Sequence, residues 1–116
     1  MANSRQKGKR GELEVARILR EYGFNSRRGQ QFSGANGDPD VIGMAGIHLE
    51  VKRREKFEGY DWLAQAARDA RPGEIPAVWW RKNEHRWVVM MDFEDFIRLY
   101  SEAYEEREHE TDRTDS

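Results

Sequence analysis

The sequence predicts an α/β fold in which a central mixed β-sheet is flanked by helices. Segments with a helical apolar repeat alternate with strand-like segments in the order α-β-β-β-α-β-β-α, which is typical of a sheet covered by helices. The chain has 116 residues, enough for one domain, and only 37% of them are apolar, so the core must be small. Charged residues make up 36% and must cover most of the surface.

Two helices are predicted in the first two thirds of the chain. The first covers about residues 7–22, where Val15, Ile18 and Leu19 fall on one helical face and Gly23 supplies a stop. The second is shorter and lies near residues 62–70, before a break that contains proline and glycine. Both have one apolar face, as expected for helices that pack on a sheet.

Five strands are predicted between and after these helices. Apolar and polar residues alternate in most of them, and turn residues separate them. The predicted strands are residues 24–28, Pro39–Gly43, Ile47–Arg53, Ile75–Arg81 and Arg86–Met91.

A third helix is predicted after the last strand. Asp92 is a good N-cap, and an apolar stripe then runs from Phe93 to Tyr104. Residues 105–116 contain no apolar residue and half of them are acidic, so a disordered tail is expected there. The sequence thus predicts one domain over residues 1–104 followed by this tail.

Composition excludes several classes of protein. The chain has no cysteine, which excludes disulfide scaffolds, thiol catalysis and cysteine-ligated zinc. It has no apolar run long enough to span a membrane and no signal-peptide core, so a cytoplasmic location is expected. No membrane partner and no small-molecule cofactor are expected.

The net charge of −2 conceals an uneven distribution of charge. Residues 1–56 carry 12 Lys and Arg against 7 Asp and Glu, whereas residues 57–116 carry 8 against 15. A basic first half favours a polyanionic partner, although a solvated charged face balanced by an acidic end is an equally good interpretation.

Two carboxylates are predicted to meet on one hairpin. A three-residue turn, Met44–Gly46, would pair Gly43 with Ile47 and therefore Asp40 with Glu50. Directly opposed residues have Cβ atoms about 5 Å apart, so these carboxylates would repel each other unless a cation lay between them. Mg²⁺ or Mn²⁺ is the natural candidate. A two-residue turn would send Asp40 to the opposite face.

Glu12 and Lys52 complete the predicted cluster. Lys52 lies two residues after Glu50 and therefore on the same face of its strand. Glu12 begins the apolar stripe of the first helix, so it should point toward the sheet and needs a partner, which the metal site or Lys52 would supply. The alternative is a solvated sheet face with an exposed Glu50–Lys52 ion pair.

These motifs resemble the PD-(D/E)XK nuclease superfamily, and in particular the archaeal-type Holliday-junction resolvases and their phage relatives. Pro39-Asp40 and Glu50-Val51-Lys52 match the defining motif. The resemblance covers about residues 7–54. Its further matches are Lys7-Gly8 before Glu12, Gly23-Phe24 after the helix, Arg28 and Ser33-Gly34.

The resemblance implies a restriction-endonuclease-like core and roles for five residues. Glu12, Asp40 and Glu50 would hold the metal ion, Lys52 would orient or activate water, and Ser33 would assist catalysis. Basic residues around this site would contact the phosphates of DNA: Lys7, Lys9, Arg10, Arg27, Arg28, Arg53 and Arg54.

Three polar residues near the motif have weaker interpretations. Asp38 could assist Asp40, but it is better explained as a loop cap before Pro39. His48 is interpreted as a strand-surface histidine. Gln65 could lie near the site or be an ordinary surface residue.

The expected function is that of a Mg²⁺-dependent DNA endonuclease that resolves four-way junctions. Mn²⁺ is expected to substitute for Mg²⁺. If the source is viral, the expected location is the cytoplasm of the host. A homodimer is expected, and Trp79, Trp80 and Trp87 are interpreted as core or dimer-interface aromatics. The alternatives are another structure-specific repair or replication nuclease of the same superfamily, or a non-catalytic nucleic-acid-binding module.

Overall fold

The computed structural model describes residues 4–30 and 38–114. Its elements follow the predicted order, and their bounds are α1 Ser4–Glu21, β1 Arg27–Arg28, β2 Val41–Ile42, β3 Ile47–Arg53, α2 Gly59–Asp69, β4 Ile75–Arg81, β5 Val88–Met91 and α3 Phe93–Thr114.

The five strands form one mixed sheet in the order β1-β2-β3-β4-β5. Every neighbouring pair is antiparallel except β3 and β4, which are parallel. A parallel pair needs a long crossover connection, and α2 supplies it. The predicted α/β fold with a mixed sheet and flanking helices is confirmed.

Helices cover both faces of the sheet. On one face α1 buries Val15 and Leu19 in a cluster with Leu49 and Val51 of β3. On the other face α2 packs Trp62 and Ala66 against Val78 of β4. Consequently β3 is buried on both sides over residues 48–51.

The tryptophans of β4 and of the segment before β5 belong to these clusters. Trp79 and Trp87 are partly buried against the α1 cluster, and Trp80 is partly buried against the α2 cluster. Each of two indoles also donates a hydrogen bond, from Trp80 to the Arg54 carbonyl (2.8 Å) and from Trp87 to the Glu14 carboxylate (2.9 Å). Their core interpretation is therefore supported by contacts.

The last helix begins as predicted and extends further than predicted. The Asp92 carboxylate accepts a hydrogen bond from the Glu94 N–H at 2.9 Å, which caps the first turn. The helix then continues to Thr114, through the segment for which the sequence predicts a disordered tail. This segment lacks glycine and proline and is rich in Glu and Arg, which favour helix even without an apolar face.

We predict that two glycines of the β2–β3 hairpin region differ in their tolerance of alanine. Gly46 has φ +85° with open space around it, so Gly46→Ala should lower the free energy of unfolding by about 1 kcal/mol. Gly43 has φ +116°, and an added Cβ would lie 2.7 Å from the backbone of Asn25 and Ser26, so Gly43→Ala should cost clearly more. Urea unfolding measures both.

Gly8→Ala is the matched control for this pair. Gly8 lies within α1 with nothing near its Cβ position, so alanine there should stabilise the protein by about 0.5–1 kcal/mol. Equal costs at Gly43 and Gly46 would contradict the close approach of the hairpin to residues 25–26.

Candidate active site

The β2–β3 hairpin has the register that the sequence predicts. Val41 pairs with Leu49, which places Asp40 opposite Glu50. Gly46 takes the left-handed conformation that ends the three-residue turn, and the Ile47 N–H donates to the Met44 carbonyl at 3.1 Å. The two carboxylates therefore lie on the same face of the sheet.

Both carboxyl groups are largely buried, and they differ in protonation. Burial, followed by the negative charge of Glu50, raises the pKa of Asp40 from 3.8 to about 8. Burial alone would also raise the pKa of Glu50, but hydrogen bonds from His48 and Asp40 outweigh it, so the Glu50 pKa is lowered. Without a cation, the pair therefore keeps one proton at neutral pH, on Asp40.

This pair has the chemistry of a divalent-cation site. Two oxygen ligands lie side by side on rigid backbone, and one Asp40 oxygen is held by the Val51 N–H at 2.8 Å. Because their mutual repulsion is relieved only by a proton or a cation, a hard divalent ion fits the position that the proton takes.

Glu12 reaches the same region from α1. Its carboxylate accepts a hydrogen bond from Arg28 Nε at 2.8 Å, and its charge adds to the rise in the pKa of Asp40. The sequence predicts the metal site or Lys52 as the partner of Glu12. In the structure Arg28 of strand β1 pairs with it, because β1 lies next to β2 at the edge that α1 covers.

His48 is not a surface residue, and that prediction is wrong. Its side chain is 2% exposed, and its Nε2 lies 2.8 Å from Glu50 Oε1. The alternation of β3 indicates one buried face, but α2 covers the second face as well. Asp69 of α2 completes a group with His48 and Glu50, whose ligand atoms all lie within 4.8 Å of one another.

An open cleft of about 540 Å³ joins these groups to solvent. It lies where α1, the β3 strand and the end of α2 meet. Its described charged and polar side chains are Arg5, Lys9, Glu12, Arg28, Asp40, Glu50, Lys52, Arg53, Arg54, Gln65 and Asp69.

The family of the protein follows from a comparison over nearly the whole chain. A family model described as "Phage putative PDDEXK endonuclease" matches residues 3–115. The chain belongs to this phage PDDEXK endonuclease family. No curated protein and no solved structure matches it at a significant level.

The family match confirms the superfamily part of the resemblance, and the chain is a nuclease by family. Asp40, Glu50 and Lys52, which the sequence predicts as the PD and EXK positions, all line the cleft. A resemblance to junction resolvases in particular stays a prediction.

The predicted DNA-contacting residues of this nuclease lie at three places. Lys9, Arg28, Arg53 and Arg54 line the cleft, whereas Lys7 and Arg10 line a neighbouring cavity with Arg53. Arg27 is exposed on β1 and lines neither.

Several of these cations already have protein partners. Lys7 pairs with Glu55 at 3.1 Å. Arg53 donates to the Arg81 carbonyl (3.0 Å) and to Asn83 (2.9 Å) of the turn after β4. Such residues are less available to phosphate than Lys9 and Arg54 at the cleft.

The other polar residues that the sequence singles out lie in the cleft, in a loop or outside the described residues. Asp38 accepts a hydrogen bond from the Gln30 N–H at 3.1 Å, which fits its interpretation as a loop cap. Gln65 lines the cleft. Ser33 lies outside the described residues. Arg5 and Asp69 also line the cleft, and the fold, rather than a motif, brings them there.

Within the described part of the chain, no helix is long and apolar enough to cross a membrane.

We predict that Asp40→Asn stabilises the metal-free nuclease in a pH-dependent way. Because the folded Asp40 has a pKa of about 8 against an ordinary 3.8, the folded state holds more protons than the unfolded state between these values. Wild-type stability therefore falls as the pH rises through this window. Asparagine cannot ionise, so the melting temperature of the variant should exceed that of the wild type increasingly from pH 5 to pH 8.

Thermal unfolding in EDTA measures this difference, and Asp38→Asn serves as a control in the neighbouring loop. A gap in melting temperature that stays constant with pH would contradict the carboxyl pair as its source.

Proposed function

We propose that this nuclease is a Mg²⁺-dependent endodeoxyribonuclease that cuts branched DNA, with four-way junctions as the preferred substrate. The observation that supports the proposal best is the Asp40–Glu50 pair at the floor of a cleft whose rim is basic. Mn²⁺ should replace Mg²⁺, because both are divalent ions that carboxylates bind well.

Asp40 and Glu50 would hold the cation, with Glu12 as a third carboxylate at the edge of the cleft. When bound, the cation would stabilise the charge that develops on the phosphate and lower the pKa of a nearby water. Phosphodiester hydrolysis then requires that water attack phosphorus in line with the P–O bond that breaks.

Lys52 is the residue that would act on the attacking water and on the phosphate. It lies on the same strand face as Glu50, and its positive charge helps to lower the pKa of that carboxyl. An ammonium group at this place orients water by donating hydrogen bonds and stabilises negative charge on phosphate oxygens. Ser33 is proposed to assist on the strength of the superfamily resemblance alone.

DNA is proposed to bind along the basic rim of the cleft. Lys9 and Arg54, together with Arg5 and Arg28, line the same cleft as the carboxylates and suit a backbone that crosses them. Lys7, Arg10 and Arg27 would extend the contact beyond the cleft. The proposed site of action is the cytoplasm of the host cell.

A homodimer is proposed because the junction has two strands to cut and the described residues of one chain form one such carboxylate cleft. The surface that suits a second copy is formed by α3 and the outer strand β5. Its large apolar residues are 45–74% exposed along α3 and about half exposed on β5: Val88, Val89, Phe93, Phe96, Ile97, Tyr100 and Tyr104.

Two other functions remain as alternatives to junction cleavage. A structure-specific nuclease of repair or replication would use the same carboxylates on flaps or forks. A non-catalytic DNA-binding module would keep the basic rim and have no use for the cation. Incubation of the protein with labelled junction, flap and linear duplex, with and without Mg²⁺, separates the three.

We predict that Glu50→Gln abolishes cleavage while DNA binding is kept or tightened. The change removes one ligand of the cation and also one negative charge that repels phosphate. Cleavage assays and gel-shift titrations in Ca²⁺ measure the two effects, and Glu84→Gln in the exposed turn after β4 is the control. Near-normal cleavage by Glu50→Gln would refute the assignment of the site.

DNA binding should depend strongly on salt and little on sequence. If about six phosphates are contacted, affinity should fall about a thousandfold between 50 and 200 mM salt. Lys9→Ala and Arg54→Ala should each reduce the slope of log affinity against log salt by about one. A flat salt response would exclude the basic rim as the DNA-binding surface.

The dimer proposal predicts a specific effect of charge on α3. The wild-type protein should have about twice the chain mass of 13.7 kDa in light scattering at micromolar concentration. Ile97→Glu should make it monomeric, whereas Glu102→Lys, on the same helix, should not. A wild-type mass of one chain, with and without junction DNA, would overturn the dimer.

A further inference from the structure

A buried histidine lies directly behind the proposed metal ligand Glu50. His48 is 2% exposed, although it is polar and stands only two residues from a residue of the cleft. A buried imidazole needs hydrogen-bond partners to offset its lost hydration. Its position on the face of β3 that α2 covers brings it between two carboxylates.

Each ring nitrogen of His48 faces one of these carboxylates. Nε2 lies 2.8 Å from Glu50 Oε1, a hydrogen-bond distance, and Nδ1 lies 3.8 Å from Glu74 Oε1. Because a carboxylate only accepts, the short contact requires the hydrogen on Nε2. Glu74 is itself held by the Arg71 N–H at 2.7 Å in the turn before β4.

Burial separates this histidine from the cleft. Glu50 and Asp69 line the cleft, whereas His48 does not, although a ligand atom of each of the three lies within 4.8 Å of the others. Its Nε2 is at hydrogen-bond distance from the Glu50 carboxylate, and its ring is buried. The contact engages Oε1 of Glu50 and thereby decides how the rest of that carboxylate faces Asp40.

We propose that His48 is a positioning residue that holds the Glu50 carboxylate for cation binding, with Glu74 behind it. The inference rests on the proposed function, since it assigns a purpose to the orientation of Glu50. Partners that orient metal ligands typically change metal affinity or activity 10–100-fold when removed. Loss of the His48 hydrogen bond removes the group that holds Oε1 of Glu50 in place.

The test uses two substitutions of His48 that differ in whether the new side chain can donate a hydrogen bond. His48→Leu fills the space without a donor, and His48→Gln keeps an N–H donor near the position of Nε2. Calorimetric titration of the metal-free full chain with Mn²⁺ should show binding weakened about 10–100-fold in His48→Leu and mostly recovered in His48→Gln. Glu74→Gln should weaken binding in the same direction by a smaller factor.

Cleavage provides a second readout. His48→Leu should lower kcat while KM for junction DNA stays within about twofold, because His48 lies outside the basic rim. His85→Leu, at an exposed histidine of the turn after β4, is the matched control and should change neither quantity.

A third readout needs neither metal nor substrate. The ¹H–¹⁵N spectrum of the histidine rings in the metal-free protein should show His48 with hydrogen on Nε2, and this measurement remains informative if His48→Leu fails to fold. Hydrogen on Nδ1 alone would overturn the proposal.

Other outcomes distinguish failure of the His48 inference from failure of the proposed nuclease function. Mn²⁺ binding by His48→Leu that equals the wild type overturns the inference alone, as does a His48→Gln variant as weak as His48→Leu. A wild-type chain that neither binds Mn²⁺ nor cleaves DNA overturns the proposed function.

Discussion

The close approach of the Asp40 and Glu50 carboxyl groups is the constraint on which the rest of the site depends. Antiparallel pairing of β2 and β3 places them opposite each other, and backbone cannot separate them without a shift of register. The protein accommodates them by holding a proton on Asp40 and by hydrogen bonds to Glu50. This arrangement is unfavourable without a cation and well suited to one.

Helices cover both faces of the sheet that carries this pair. Strand β3 pairs with β4 in parallel, and the crossover helix α2 lies over the face that bears Glu50. Low dielectric under α2 strengthens the repulsion between the carboxylates and the hydrogen bond from His48. The same helix brings Gln65 and Asp69 to the cleft. A site of this kind therefore trades stability of the metal-free chain for pre-organised ligands.

Charge is distributed in agreement with this arrangement. About half of the basic residues of the first half line the cleft with the carboxylates, while about half of the acidic residues of the second half lie on α3. Because α3 also carries the exposed apolar stripe, one end of the protein suits a polyanion and the other suits association with protein. The separation keeps negative charge away from the surface proposed for DNA.

The sequence by itself determined the order of the elements, the bounds of β3 and β4, and the pairing of Asp40 with Glu50. These properties depend on short-range rules: side-chain alternation, helical repeat and the geometry of one three-residue turn. Tertiary structure alone decided that His48 is buried, that Arg28 is the partner of Glu12 and that Asp69 reaches the cleft. Those outcomes depend on which helix covers which face of the sheet and on which strands are neighbours. They bring together residues that are far apart in the chain, and no local sequence pattern predicts such contacts.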